Sequence, residues 1–182
     1  DEGRATEVVW TRGVPRFAAL FDELGVKATF FVVASDLERS PEARREAEQL
    51  VAAGHELASH SWSHPYDLTR QPRETIAEEL SRSRALLSEV RGAPVTGFRA
   101  PGYTMSDVVF EELAAAGYRY DSSLFPCPPY YLAKAAVLAM MTLRGRRSES
   151  ILDKPSVMWA KTRPHRRDEI VEFPVTVLPW LR

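Results

Sequence analysis

The sequence predicts an α/β fold made of repeated strand and helix units around a parallel sheet or barrel. Three observations carry that prediction. Short apolar runs rich in β-branched and aromatic residues alternate with stretches of helical periodicity. A glycine stops each helical stretch, at Gly25, Gly54, Gly92 and Gly117. The connections are short, and alternation of this kind argues for parallel strands joined by right-handed crossovers.

Asp1 to Arg12 is polar and mixed in charge and reads as loop. Pro15 suits a first helical position, and Val14, Phe17, Ala18, Leu20, Phe21 and Leu24 form an apolar stripe up to Gly25. Val26 to Ala34 is continuously apolar, the pattern of a strand covered on both faces. A helix is predicted from Glu42 to Ala53, opened by Ser40-Pro41, and a short strand follows over His55 to Ser59. Thr69 to Pro72 opens a helix that carries Ile76, Leu80, Leu86 and Leu87 to Gly92. Thr96 to Ala100 is a third strand, Ser106 caps a helix holding Val109, Leu113 and Ala116, and Tyr118 to Asp121 is a fourth strand.

Beyond Asp121 the pattern breaks. Ser122 to Pro129 does not suit helix, whereas Tyr130 to Leu143 reads as an apolar helix rich in Ala, Leu and Met, whose Met and aromatic side chains suit core packing better than a cofactor site. Residues 122–168 are read as an insertion packed on the site face or on a partner. The clusters Arg144 to Arg147 and Arg163 to Arg167 read as solvated loops, and Ile170 to Thr176 as a last strand.

Composition narrows the function. With 182 residues and a net charge of −1, the chain is one domain without the basic excess expected of a nucleic-acid binder. No apolar run is long enough to span a membrane. The one cysteine, Cys127, has no internal disulfide partner and reads as a buried thiol, which leaves the compartment open. The chain starts at Asp1 without a methionine and stops in an apolar run, so it reads as a domain cut at both ends.

The stretch from Gly54 to Pro65 holds three of the four histidines. His60 and His64 are four apart, a spacing that stacks both imidazoles on one face of a helical turn, and Pro65 ends any such turn. A divalent metal fits such a pair, although catalytic zinc takes three protein ligands. Packing or solvated histidines remain the alternative reading of the pair by itself. His60, Arg99 to Pro101 and Asp121 each fall at the C-terminal end of a predicted strand, the edge where parallel α/β folds bind ligands.

Three stretches, Lys27-Ala28-Thr29-Phe30-Phe31-Val32, Gly54-His55-Glu56-Leu57 through His60-Ser61-Trp62-Ser63-His64-Pro65, and Phe98-Arg99-Ala100-Pro101, resemble in order and spacing the polysaccharide deacetylases of the NodB-homology or carbohydrate esterase 4 family. The resemblance implies a distorted (β/α) barrel, incomplete in this chain, and a divalent-metal N-deacetylase. Zinc is the expected metal, with cobalt, nickel or manganese as alternatives. It implies that His60 and His64 are metal ligands, that Arg99 orients the catalytic aspartate, and that Pro101, Gly102 and Tyr103 face the substrate, with the Gly102 amide at the developing oxyanion. Asp121 would hold Arg99 or the general acid, or else cap the Ser122-Ser123 turn. The family's aspartate pair belongs before the Pro15 helix, where Asp1 is the only nearby candidate, and its Leu-x-His would fall past Arg182; His165 is a poor substitute. The tryptophan expected after Asp121 is also missing, and Gly102-Tyr103 replaces the usual aromatic directly after the proline.

The expected substrate is an N-acetylated glycan or a lipid-linked amino sugar. The competing readings are hydrolysis of a small cyclic amide on the same fold and a carbohydrate-binding remnant without catalysis. An open groove favours the first reading and a closed pocket the second. This piece alone is expected to be catalytically inert, because both proton-transfer motifs are missing from it.

Overall fold

Residues 7–146, 148 and 150–178 are described by the structure, a computed structural model. The expectations for Asp1 and Arg147 lie outside the described residues. The order of elements follows the predicted alternation. Helix α1 (Val14–Glu23) precedes strand β1 (Thr29–Val32), and helices α2 (Ala34–Arg39) and α3 (Pro41–Ala52) lead to β2 (Glu56–Ser59). Helix α4 (Arg73–Arg91), β3 (Gly97–Phe98), α5 (Asp107–Ala115) and β4 (Tyr120–Asp121) follow, then α6 (Pro128–Leu143), β5 (His165–Arg167) and β6 (Ile170–Glu172).

The strands form one six-stranded sheet in the order β1-β2-β3-β4-β6-β5. All neighbours are parallel except β5 with β6, so the α/β class with a mostly parallel sheet is as predicted. Among the described residues the sheet stays open, with β1 and β5 at its edges. One face is covered by helices: Leu57 and Phe98 of the strands and Leu50, Ile76, Leu80, Leu87, Val109 and Leu113 of α3, α4 and α5 are all at most 2% exposed. At about 25 cal/mol per Å² of apolar surface, this layer is the main source of stability. Among the described residues no helix covers the other face. Thr29, Phe31, Glu56, Arg99, Tyr120 and Phe173 line an open cavity of about 490 Å³ there.

Local chemistry explains the helix starts. Ser40 accepts the Ala43 amide at 3.2 Å and Ser106 accepts the Val109 amide at 3.3 Å, each relieving one unpaired donor of a first turn. Gly97 is needed for another reason, because a Cβ there would collide with the ring of Tyr120 on the neighbouring strand.

Several expectations are corrected. Val9–Gly13 is a π-helical turn running into α1, so this part of the predicted loop is helical; Trp10 is buried and donates to Asp36 Oδ2 at 3.2 Å. The stripe of α1 is only partly used. Phe21 packs edge-on against Phe30 at 6.1 Å, while Phe17 and Leu24 are 57% and 63% exposed, because beyond the edge strand β1 nothing described covers them. For the same reason β1 is not covered on both faces: Thr29 is exposed and Phe30 and Phe31 are half-buried. Helix α6 begins at Pro128, two residues earlier than predicted, since prolines are tolerated in a first turn. It is also not core, as only Tyr131 is buried along it. The basic stretch Arg163 to Arg167 is not all loop either: His165–Arg167 is strand β5, and Arg167 pairs with Asp107 and lies 3.8 Å over the ring of Phe110. Cys127 is free and buried, as expected.

Candidate active site

The carboxyl ends of β2 and β3 deliver His60 and Arg99 side by side, because both residues directly follow parallel strands paired at Ser59 and Phe98. His60 Nδ1 lies 2.6 Å from the Arg99 carbonyl oxygen. That contact makes Nδ1 the protonated nitrogen and leaves the lone pair on Nε2, the arrangement by which proteins fix a metal-binding histidine. Burial, only partly offset by the Arg99 carbonyl, pushes the His60 pKa down to about 4. The imidazole is therefore neutral near pH 7, as a ligand must be.

His64 reaches the same place by a different route from the one the spacing suggests. Ser61 and His64 have φ of 66° and 62°, so the segment is a left-handed turn and not a helical one. The two rings still meet, with centroids 4.8 Å apart, and His64 packs edge-on against Tyr66 at 4.7 Å. Burial also lowers the His64 pKa, while the charge of Asp36 opposes the shift.

Arg99 is held rather than free. Its Nε donates to Ser122 O at 2.8 Å and its Nη2 to Ser122 Oγ at 2.7 Å, and its guanidinium lies 4.1 Å over the Phe31 ring. Asp121 stands behind this arrangement. It is fully buried and accepts from Ser123 N at 3.1 Å and Ser123 Oγ at 2.6 Å; Ser123 Oγ in turn accepts the Ala100 amide at 2.7 Å. Asp121 thus caps the Ser122-Ser123 turn, and that turn fixes both Arg99 and the start of the Pro101–Tyr103 turn.

His60, His64, Arg99, Gly102 and Tyr103 line one cleft of about 480 Å³, with Tyr66 and Tyr130 as further walls. Pro101 is buried beneath it, and Asp121 does not reach it. Gly102 takes φ 65° and Lys134 of α6 donates to its carbonyl at 3.3 Å, so the helix after the fourth strand buttresses the turn. Among the described residues, no third His, Cys, Asp or Glu joins the two histidines in a group able to hold a metal.

Sequence reasoning missed Glu172, Glu79 and the α6 residues Tyr130 and Lys134. Glu172 stands opposite Asp121 in the β4–β6 register and is 3% exposed. Burial and the adjacent Asp121 charge push its pKa up to about 9, and burial raises Asp121 as well. Asp121 accepts two hydrogen bonds from Ser123 and Glu172 accepts one from Leu124 N at 3.1 Å, so the donors favour the negative charge of the pair on Asp121 and the proton on Glu172. The signal was present in the sequence: a lone acid in the apolar run Ile170-Val171-Glu172-Phe173.

Fold and site together define a class: a parallel α/β domain with an open cleft at the carboxyl edge of its sheet, floored by paired neutral imidazoles and an anchored guanidinium. The family profile described as Polysaccharide deacetylase matches residues 1–120, and the chain belongs to that family, the NodB or carbohydrate esterase 4 group. It is 32% identical over 124 residues to the peptidoglycan deacetylase of Helicobacter pylori, a match covering 66% of this chain and 40% of that protein. It is 40% identical over 93 residues to a chitooligosaccharide deacetylase of a Bradyrhizobium species, covering 50% and 41% respectively. A crystal structure from Mycobacterium smegmatis, of a protein whose assignment as a polysaccharide deacetylase is provisional, superposes with a TM-score of 0.66 at 26% identity, covering 94% of this chain and 49% of that one. The chain therefore spans less than half the length of these relatives.

Proposed function

We propose that this protein hydrolyses the N-acetyl group of a polysaccharide or lipid-linked amino sugar at a divalent metal held by His60 and His64. The observation that carries this reading is the His60–Arg99 contact, which presents a neutral imidazole with a defined tautomer beside a second imidazole. The donor set suits zinc, with cobalt, nickel or manganese as alternatives. When bound, a divalent cation polarises the amide carbonyl and acidifies the attacking water.

The protein's own groups have separate tasks. Arg99, clamped by Ser122 and stacked on Phe31, keeps its planar fork in one orientation and so can align a carboxylate base. The Gly102 amide, in a turn that lines the cleft, is the donor assigned to the developing oxyanion. Tyr66, Tyr103 and Tyr130 line the cleft and are the aromatic side chains assigned to packing against a pyranose. Because His60, His64, Arg99 and Tyr103 all retain solvent access and Tyr66 is 41% exposed, the cleft is open, which favours a glycan over a small cyclic amide.

The test is acetate release by the full-length protein with zinc, from an N-acetylglucosamine oligomer and from a small cyclic amide. Release from the oligomer, lost on chelation, is the expected result. Turnover of the cyclic amide alone would overturn the substrate assignment, and absence of any turnover would favour a carbohydrate-binding role.

A further inference from the structure

Between the two histidines runs a turn that does not hold its own shape. Ser61 and His64 both occupy the left-handed region, which costs energy for any residue with a Cβ. Two of its amides are satisfied locally, Ser61 N by Ser59 Oγ at 3.2 Å and His64 N by Ser61 Oγ at 2.9 Å. The two central ones are not. Trp62 N and Ser63 N both donate to Glu79 Oε2, at 3.0 and 2.9 Å, and Ser63 Oγ donates to Glu79 Oε1 at 2.6 Å. One carboxylate from outside the turn thus accepts three hydrogen bonds at its apex, and its two oxygens supply the acceptors that the turn lacks.

Glu79 lies on a firm base. It sits on α4 between Ile76 and Leu80, both at most 1% exposed, so the helix that carries it is anchored in the core. The same helix grips the turn twice more: Ser83 Oγ lies 2.8 Å from Ser59 Oγ, and the Arg82 guanidinium lies 3.7 Å from the centre of the Trp62 ring. On the opposite side, Ala34 N and Ser35 N of α2 donate to the carbonyls of Ser61 and Trp62 at 3.2 and 3.0 Å. The turn is clamped between two helices, and among the described residues Glu79 is the only charged side chain bonded to its amides.

We propose that Glu79 is a positioning residue for the histidine pair, its carboxylate holding the turn in the conformation that brings both imidazoles into the cleft. The proposal rests on the reading of His60 and His64 as metal ligands. Glu79 acts through the backbone of Trp62 and Ser63 and not by contact with substrate or metal.

Glu79→Gln and Glu79→Ala separate geometry from charge. In Glu79→Gln one amide oxygen still accepts both backbone N–H groups, and the Ser63 hydroxyl reverses to accept from the amide nitrogen. Glu79→Ala removes every acceptor. The two variants and the wild-type chain are titrated with cobalt(II), the visible spectrum is recorded, and amide exchange is followed at Trp62 and Ser63, with thermal melting as the control for folding. The expected result is that Glu79→Ala weakens cobalt binding about tenfold or more, alters the spectrum and speeds exchange at both amides, while Glu79→Gln stays close to wild type. Wild-type cobalt affinity and unchanged exchange in Glu79→Ala would overturn the proposal, as would equal losses in both variants, which would assign the effect to charge.

If the wild-type chain takes up no cobalt, the metal reading fails by itself. The positioning claim is then decided in the same proteins by the imidazole resonances of His60 and His64: movement in Glu79→Ala but not in Glu79→Gln supports it, and no movement overturns it. Should Glu79→Ala not fold, Glu79→Asp replaces it, since its carboxylate falls short of the turn by one methylene.

Discussion

The imidazole of His60 and the backbone carbonyl of Arg99 meet at 2.6 Å, joining the residues that directly follow β2 and β3. The bond makes the histidine's tautomer a property of the sheet. Any change that separates the two strand ends should therefore disturb the imidazole, even when it leaves both side chains in place.

Arg99→Lys keeps the charge but cannot give two nitrogens to Ser122 in one plane. In the full-length protein, kcat should fall by about tenfold or more, as expected when a positioned group loses its alignment, with KM little changed. Steady-state kinetics on an N-acetylglucosamine oligomer check this. A rise in KM alone would assign Arg99 to substrate contact.

Glu172 keeps its proton in the folded state up to about pH 9, whereas an unfolded glutamate releases it near its ordinary value of about 4.3. Between these values the folded chain binds more protons than the unfolded chain, so this group's stabilisation is complete below the lower value and is lost as pH rises through the upper one. Below about pH 6.5 the depressed His60 pKa acts in the opposite sense, so the melting temperature of wild type should fall from about pH 7 to about pH 9, and Glu172→Gln, which cannot ionise, should flatten that slope. An identical slope in both proteins would place the proton elsewhere.

Gly97→Ala should destabilise the chain by about 1–3 kcal/mol, the usual cost of overpacking, because the added Cβ falls within the Tyr120 ring. That ring packs edge-on against Phe173 at 5.6 Å and must shift for the Cβ to fit. Denaturant unfolding measures the effect, and a neutral result would mean that the open face of the sheet yields freely.

Much of this is legible in the chain because local signals and tertiary outcome agree. The alternation of strands and helices, the Ser40 and Ser106 caps and the strand-end placement of His60 and Arg99 follow from periodicity and turn chemistry alone. The departures share a cause. Burial on both faces of Phe30 and Phe31 and core packing of α6 are expectations from apolar composition, which does not tell whether a neighbour lies on each side. Helical stacking of His60 and His64 is an expectation from spacing, whereas the left-handed turn depends on Glu79, sixteen residues beyond Ser63. Nothing in the sequence sets Glu79 apart from Glu74 or Glu78 on the same helix.

The central claim is that His60 and His64 form a metal centre, and zinc stoichiometry tests it most directly. The full-length protein and its His60→Ala, His64→Ala double variant are loaded with zinc, dialysed and analysed for metal, with a melting curve confirming that both are folded. One zinc per wild-type chain and none in the variant is the predicted result. Equal metal content in the two proteins would contradict it.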